Sequence, residues 1–171
     1  MASQAAKFVE SAENALAKYG DGKGPAPIAE VHGSAAKPDK GKELSGVAKA
    51  YYDAVSLFSQ EKYQPALLAF KKIVEEGQDP EYVAKSVYEI GRCLFLTGNH
   101  DGCIKHYTQM ITAYPKHPDL GDALFFMAQS HEKKGDKDRA GTFYKKILSM
   151  TTDEDDMIHI KAKKALKALE A

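Results

Sequence analysis

From residue 47 to residue 171, apolar residues recur at intervals of three and four, the spacing of one face of an α-helix. Tyr51, Val55, Leu57 and Phe58 make one stripe, and Ala66, Leu67, Phe70, Ile73 and Val74 make the next. Breakers separate the stripes: Gln60-Glu61-Lys62, Gly77 with Pro80, Thr97-Gly98-Asn99, Pro115 with Pro118, and Lys134-Gly135-Asp136. With no period-two alternation of any length, the pattern predicts an all-α domain over 47–171. Residues 20–46 read differently, with nine Gly or Pro in 27 positions and only Ile28, Val31 and Leu44 as large aliphatics. Burial of so little apolar surface does not offset the entropy of ordering, which predicts a flexible linker. Ahead of it, Phe8, Ala12, Ala15, Leu16 and Tyr19 fall at helical spacing behind Ser3 as N-cap, which predicts a short amphipathic helix within residues 1–19.

The stripes repeat with a period of 37 residues. Small residues align at Ala54, Gly91 and Ala128, and again at Ala66, Cys103 and Ala140. Aromatics align at Phe70, Tyr107 and Tyr144, and aliphatics at Ile73, Met110, Ile147 and at Val74, Ile111, Leu148. Three units follow, at 47–83, 84–120 and 121–157, with 158–171 left as a partial fourth. Each is a helix, a short turn and a second helix. Short side chains let the helices approach, and the aromatic fills the space between neighbours. A single hairpin cannot bury both apolar faces, so the units stack. The last segment places Ile158, Ile160, Ala165, Leu166 and Leu169 on one side and Lys161, Lys163, Lys164 and Lys167 on the other, the composition of a capping helix. Ala165 stands where the small residue of a fourth unit falls, and Asp153, Glu154, Asp155 and Asp156 supply negative charge at the helix N-terminus.

The motifs Val87…Ile90-Gly91…Leu94…Gly98…Cys103…Tyr107…Pro115 and Leu124…Met127-Ala128…Gly135…Ala140…Tyr144 resemble the tetratricopeptide repeat. The resemblance covers about 47–171 and implies a right-handed α-solenoid of helix-turn-helix repeats with a C-terminal capping helix. The 37-residue spacing and the Tyr114-Pro115-Lys116-His117-Pro118 link are similar to a bacterial envelope subgroup that includes the C-terminal domain of the Tol–Pal-associated protein CpoB (YbgF). Five positions depart from the family pattern: Asp53, Glu61, Gln78, His131 and Thr152.

The resemblance also implies a concave groove lined by the first helix of each unit. Its residues here are Tyr51, Val55 and Phe58, then Lys85, Tyr88, Arg92 and Phe95, then Asp122, Phe125, Gln129 and Glu132. Tyr51, Tyr88 and Phe125 form one aromatic column, and Phe58 and Phe95 begin a second. Such a ladder suits an extended or helical peptide, with Lys85 and Arg92 for an acidic group and Glu132 for a basic one. Each buried aromatic is worth roughly 1.5–3 kcal/mol, and two or three give micromolar-class binding once the entropy of association is deducted. Family members that grip chaperone C-termini use a clamp of Lys, Asn and Arg in the groove; the matching positions here hold Tyr51, Val55, Glu89, Asp122 and Phe126, so the clamp is absent and that role is not expected.

Composition narrows the classes further. The 24 basic and 24 acidic side chains give a net charge of 24 − 24 = 0, which argues against a nucleic-acid coat. No apolar run approaches a membrane span, and the start, Met1-Ala2-Ser3-Gln4, lacks a signal peptide's basic region and apolar core. The expected compartment is therefore the cytoplasm, or the periplasm if the chain is processed or truncated. His32, His100, His106, His117, His131 and His159 show no metal-ligand spacing, and no glycine-rich phosphate loop follows a strand. Cys93 and Cys103, on opposite helices of the second unit, read as buried thiols, with a disulfide under oxidising conditions as the alternative, and His131 reads as a hydrogen-bonded core histidine. No catalytic residue, cofactor or metal is expected. The expected function is non-catalytic scaffolding that holds a protein or peptide partner in the groove. The alternative is self-assembly into a homo-oligomer through the N-terminal helix.

Overall fold

The structure is a computed structural model that describes residues 45–171. The predicted helix at 1–19 and the linker up to residue 44 lie outside the described residues. Seven helices follow in order: α1 Gly46–Ser59, α2 Tyr63–Glu76, α3 Pro80–Leu96, α4 His100–Ala113, α5 Leu120–Lys133, α6 Lys137–Met150 and α7 Met157–Glu170. None of them is long and apolar enough to cross a membrane.

Three helical hairpins, α1–α2, α3–α4 and α5–α6, are closed by the same turn. The amides of Lys62, Asn99 and Asp136 bond back to the carbonyls of Leu57, Leu94 and His131 at 3.0, 2.9 and 2.9 Å. This closure requires a left-handed residue, and Gly98 and Gly135 supply it at φ 76° and 80°. Glu61 holds the same place at φ 60°, a conformation in which its Cβ is strained. The next helix is capped by Asn99, which accepts from Gly102, and by Asp136, which accepts from Arg139. Lys62, at the matching place in the first hairpin, makes no side-chain cap.

The stack has two layers. The first helices pack in series, α1 on α3, α3 on α5 and α5 on α7, while the second helices α2, α4 and α6 touch only first helices. The first helices therefore form the inner, concave layer. Successive repeats meet through matching positions on those helices: Val83, Val87, Ile90 and Leu94 on α3, and Leu120, Leu124, Met127 and His131 on α5. On α1 these places hold Gly46, Ala50, Asp53 and Leu57, of which the first three are exposed. Asp53 thus departs from the repeat pattern at the end of the described stack, where no earlier hairpin packs on α1 among the described residues.

At the other end the buried face of α7 is Ile158 and Ala162, with Ala165, Leu166 and Leu169 half-buried. These match Leu120, Leu124, Met127, Ala128 and His131 with a spacing of 38 residues, one more than the period. Two expectations are corrected by this shift. Ile160 does not share the buried side and is 46% exposed, because two residues from Ile158 is more than half a helical turn away. Ala165 takes the place of Met127, and Leu166 stands where Ala128 stands on α5.

His131 is buried and lies 3.8 Å from the Asp136 carboxylate through Nδ1, stacked on Phe143. Its Nε2 has no hydrogen-bond partner, so it occupies an aliphatic site without the bonding expected of a core histidine. Cys93 and Cys103 are fully buried free thiols in separate parts of the core. Burial pushes them up to about 12 and about 11 respectively, which keeps both protonated and inert at neutral pH.

Candidate functional site

Each residue of the central aromatic column rests on the second helix of its own hairpin. Ring centroids are 5.7 Å apart for Tyr51–Phe70, 6.1 Å for Tyr88–Tyr107 and 5.4 Å for Phe125–Tyr144. One face of Tyr51, Tyr88 and Phe125 is thus spent on the repeat, while each side chain stays half-buried on the inner layer. Burial raises the phenol pKa of Tyr51 and Tyr88 well above the usual value, so both remain neutral donors. The second column is tied to the turns, with Phe58 against Tyr63 at 5.2 Å and Phe95 against His100 at 5.4 Å.

A third column, Tyr52, Glu89 and Phe126, follows the same 37-residue spacing; Glu89 and Phe126 were placed at the clamp positions, but none of the three among the groove-lining residues. Tyr52 forms a cluster with Tyr51 and Tyr82, at 5.6 Å from the first and 6.4 Å from the second. Phe126 bridges repeats, 5.1 Å from Phe95 and stacked on Tyr107. The period alone marks this column, but its members are unlike in chemistry, which hides it from a search for matching residue types.

The structure changes the predicted roles of three groove charges. Arg92 bonds both oxygens of Glu89, at 2.9 and 3.2 Å, and its guanidinium lies over Phe58 at 4.3 Å. Lys85 is bonded to Glu81 at 2.6 Å and packs over Tyr82. Glu132 accepts the Tyr144 hydroxyl. The two cations and the anion expected to meet a partner already have partners within one or two turns of helix or within their own hairpin. Arg92 instead fastens α3 to α1. Glu89 is nearly buried, and that burial holds its carboxyl above the usual carboxylate range while Arg92 pulls it back.

Val55 and Gln129 stand half-buried on α1 and α5. Asp122 is half-buried without an ion-pair partner among the described residues, and burial raises its pKa against the opposing pull of Lys161. It also borders a cleft of about 450 Å³ between the 115–118 loop, the start of α5, the end of α6 and the start of α7. Among the described residues no group of three His, Cys, Asp or Glu side chains is placed to hold a metal ion.

Two histidines bond to backbone carbonyls of α3, and one of them, His117, fixes the loop between α4 and α5. His117 Nε2 donates to the Ala84 carbonyl at 3.1 Å, its Nδ1 accepts from the Asp119 amide, and its ring stacks on Tyr88. His106 Nε2 donates to the Val87 carbonyl at 2.6 Å. Burial lowers the pKa of both, consistent with neutral rings. The groove face of Tyr88 is therefore held from behind by Tyr107 and from the side by His117.

None of the curated proteins compared with the chain matches it. Tetratricopeptide repeat family models match residues 85–117 and 121–154, the stretches that hold α3–α4 and α5–α6, so the chain carries tetratricopeptide repeats on an all-α solenoid.

Proposed function

We propose that the chain is a non-catalytic scaffold that holds a segment of a protein partner against the inner layer of first helices. Tetratricopeptide repeats generally mediate protein–protein interaction. The observation that carries the reading for this chain is the inner face itself: three columns of half-buried side chains, mostly aromatic, run across α1 and α3, and two of them continue onto α5. Tyr51, Tyr88 and Phe125 are rigid, with one ring face packed, so they bind at little further entropy cost. The bonded charges favour an apolar mode of recognition along the middle of the groove. The 37-residue spacing supports kinship with the bacterial envelope subgroup.

A site-specific test uses a photo-crosslinking residue at Val55 or Gln129 on the inner face, and at Leu68, which is 67% exposed on α2. Partner crosslinks from Val55 and Gln129, and none from Leu68, are expected. Equal yield from Leu68 refutes the groove. Loss of the crosslink in Tyr88→Ala/Phe95→Ala, with helicity retained, is the second expected result.

A further inference from the structure

Three of the five large hydrophobic side chains that stand exposed among the described residues, Met150, Met157 and Ile160, gather at the α7 end of the stack. Met150 and Met157 edge the 450 Å³ cleft, whose lining includes Leu120, Ile147 and Ile158. Asp122 belongs both to this cleft and to the inner face, so the groove runs into it. Methionine is unbranched and polarizable, and an exposed pair beside an open cleft lined by these aliphatic side chains together with Lys116, Asp122, Asp156 and Lys161 suits an inserted side chain of variable shape.

The one-residue shift of α7 decides what lies next to the cleft. With 38-residue spacing, Ile160, Lys163 and Lys167 take the places on α7 that Asp122, Phe125 and Gln129 take on α5. The inner face therefore ends in an aliphatic side chain and two lysines. Both lysines are exposed and neither has an ion-pair partner within the described residues, in contrast to Lys85 and Arg92. Of the nearby acids, Asp156 is engaged in capping α7 through the Ile158 amide, and Asp153 bonds the Asp155 amide. Lys163 lies seven residues beyond Asp156, about 10 Å along the axis, which is close to one Debye length in physiological salt.

We propose that this end of the groove is a subsite for a partner segment that inserts an aliphatic or methionine side chain into the cleft and lays acidic residues over Lys163 and Lys167. It deepens the groove reading above and rests on it. The middle of the groove supplies aromatic contact, and the α7 end supplies the unspent positive charge, so the segment binds in one direction only.

The test is to pan a random-peptide library against the full chain and three variants: Met150→Glu/Met157→Glu, Lys163→Glu/Lys167→Glu and Tyr88→Ala/Phe95→Ala. The first two alter exposed positions and leave the core intact. Peptides enriched on the unaltered chain are expected to pair an aliphatic residue or Met with a run of Asp or Glu. Met150→Glu/Met157→Glu is expected to remove the aliphatic preference, and Lys163→Glu/Lys167→Glu to reverse the charge preference and weaken the acidic peptides at least tenfold. Peptides that require Tyr88 and Phe95 but show no acidic bias overturn the subsite and leave the groove reading standing. Peptides indifferent to Tyr88 and Phe95 overturn the groove reading and the subsite with it, as does a library with no enrichment.

Discussion

Gly91 is the position at which one added methyl group is expected to cost most. A Cβ at Gly91 falls 2.2, 2.4 and 2.6 Å from three ring atoms of Tyr107, so the ring must retreat by 3.4 − 2.2 = 1.2 Å to reach ordinary contact. Tyr107 is fully buried, and its hydroxyl donates to the Tyr88 carbonyl at 3.0 Å, so the retreat also breaks that bond. Overpacking costs about 1–3 kcal/mol. The lost hydrogen bond adds about 1 kcal/mol. Against this, Ala gains about 1 kcal/mol over Gly in a helix interior. Gly91→Ala is therefore expected to destabilise by about 1–3 kcal/mol, a fall in melting temperature on the order of 10 °C at the upper end. The other hairpins show why the cost is local. Ala54 and Ala128 occupy the same place, facing Phe70, which has no hydroxyl, and Tyr144, whose hydroxyl goes to Glu132 instead. Removing the tether with Tyr107→Phe recreates the Ala54–Phe70 pairing. Thermal and guanidinium unfolding followed by circular dichroism should find Gly91→Ala/Tyr107→Phe less destabilised than the sum of the single changes, by about 1 kcal/mol. Gly91→Ala at or above wild-type stability refutes the reasoning, and strict additivity refutes the tether.

Three further changes test other parts of the account. Glu61→Gly relieves a left-handed non-glycine residue in the first turn and is expected to raise stability by about 0.5–1 kcal/mol, read from the denaturation midpoint. Arg92→Ala leaves Glu89 nearly buried without its counter-charge and is expected to destabilise by about 1–3 kcal/mol, with Glu89→Gln/Arg92→Ala recovering part of the loss in the same unfolding measurement. His106, His117 and His131 all have folded pKa values lowered by burial from an ordinary 6.5, so the unfolded chain takes up protons first as pH falls. Stability is accordingly full above 6.5 and declines below it, until pH passes the folded values. Glu89 and Asp122, whose folded values are raised, act in the opposite sense at lower pH. His131→Leu, which copies Leu94, should raise stability at neutral pH by about 1 kcal/mol and flatten the decline between neutrality and mild acid. An unchanged slope refutes a titrating His131.

The repeat was legible because packing constrains residue size, and size leaves a periodic record: Ala54, Gly91 and Ala128 on one side, Phe70, Tyr107 and Tyr144 on the other. Charge pairing left a fainter one. Glu81–Lys85 and Glu89–Arg92 stand at helical spacing and are readable as pairs, yet only the side-chain positions show that both cations are held. The face of α7 was only partly legible: helix geometry separates Ile160 from Ile158, but the sequence alone does not choose between a 37-residue and a 38-residue spacing for this helix. The partner helix decides between the two, and Ile158 is the residue that packs near Gly121. Asp53 departs from the pattern, and its exposed place at the end of the described stack explains it.

The core is divided along α3. Ile90 and Cys93 belong with Ala54, Phe70 and Ile73 in one cluster, while Val87 joins Tyr107, Leu124, Phe143 and Ala162 in the other. A structure built this way is a short chain of nearest-neighbour couplings, in which cooperativity is only as strong as the shared link. The leading hairpin, with its strained Glu61 turn and uncapped α2, is the weaker partner in that coupling. Its detachment would expose one side of α3 while leaving the larger cluster's own contacts in place, so the leading hairpin is expected to open first as stability falls, and the α7 end of the groove to outlast the tyrosine end.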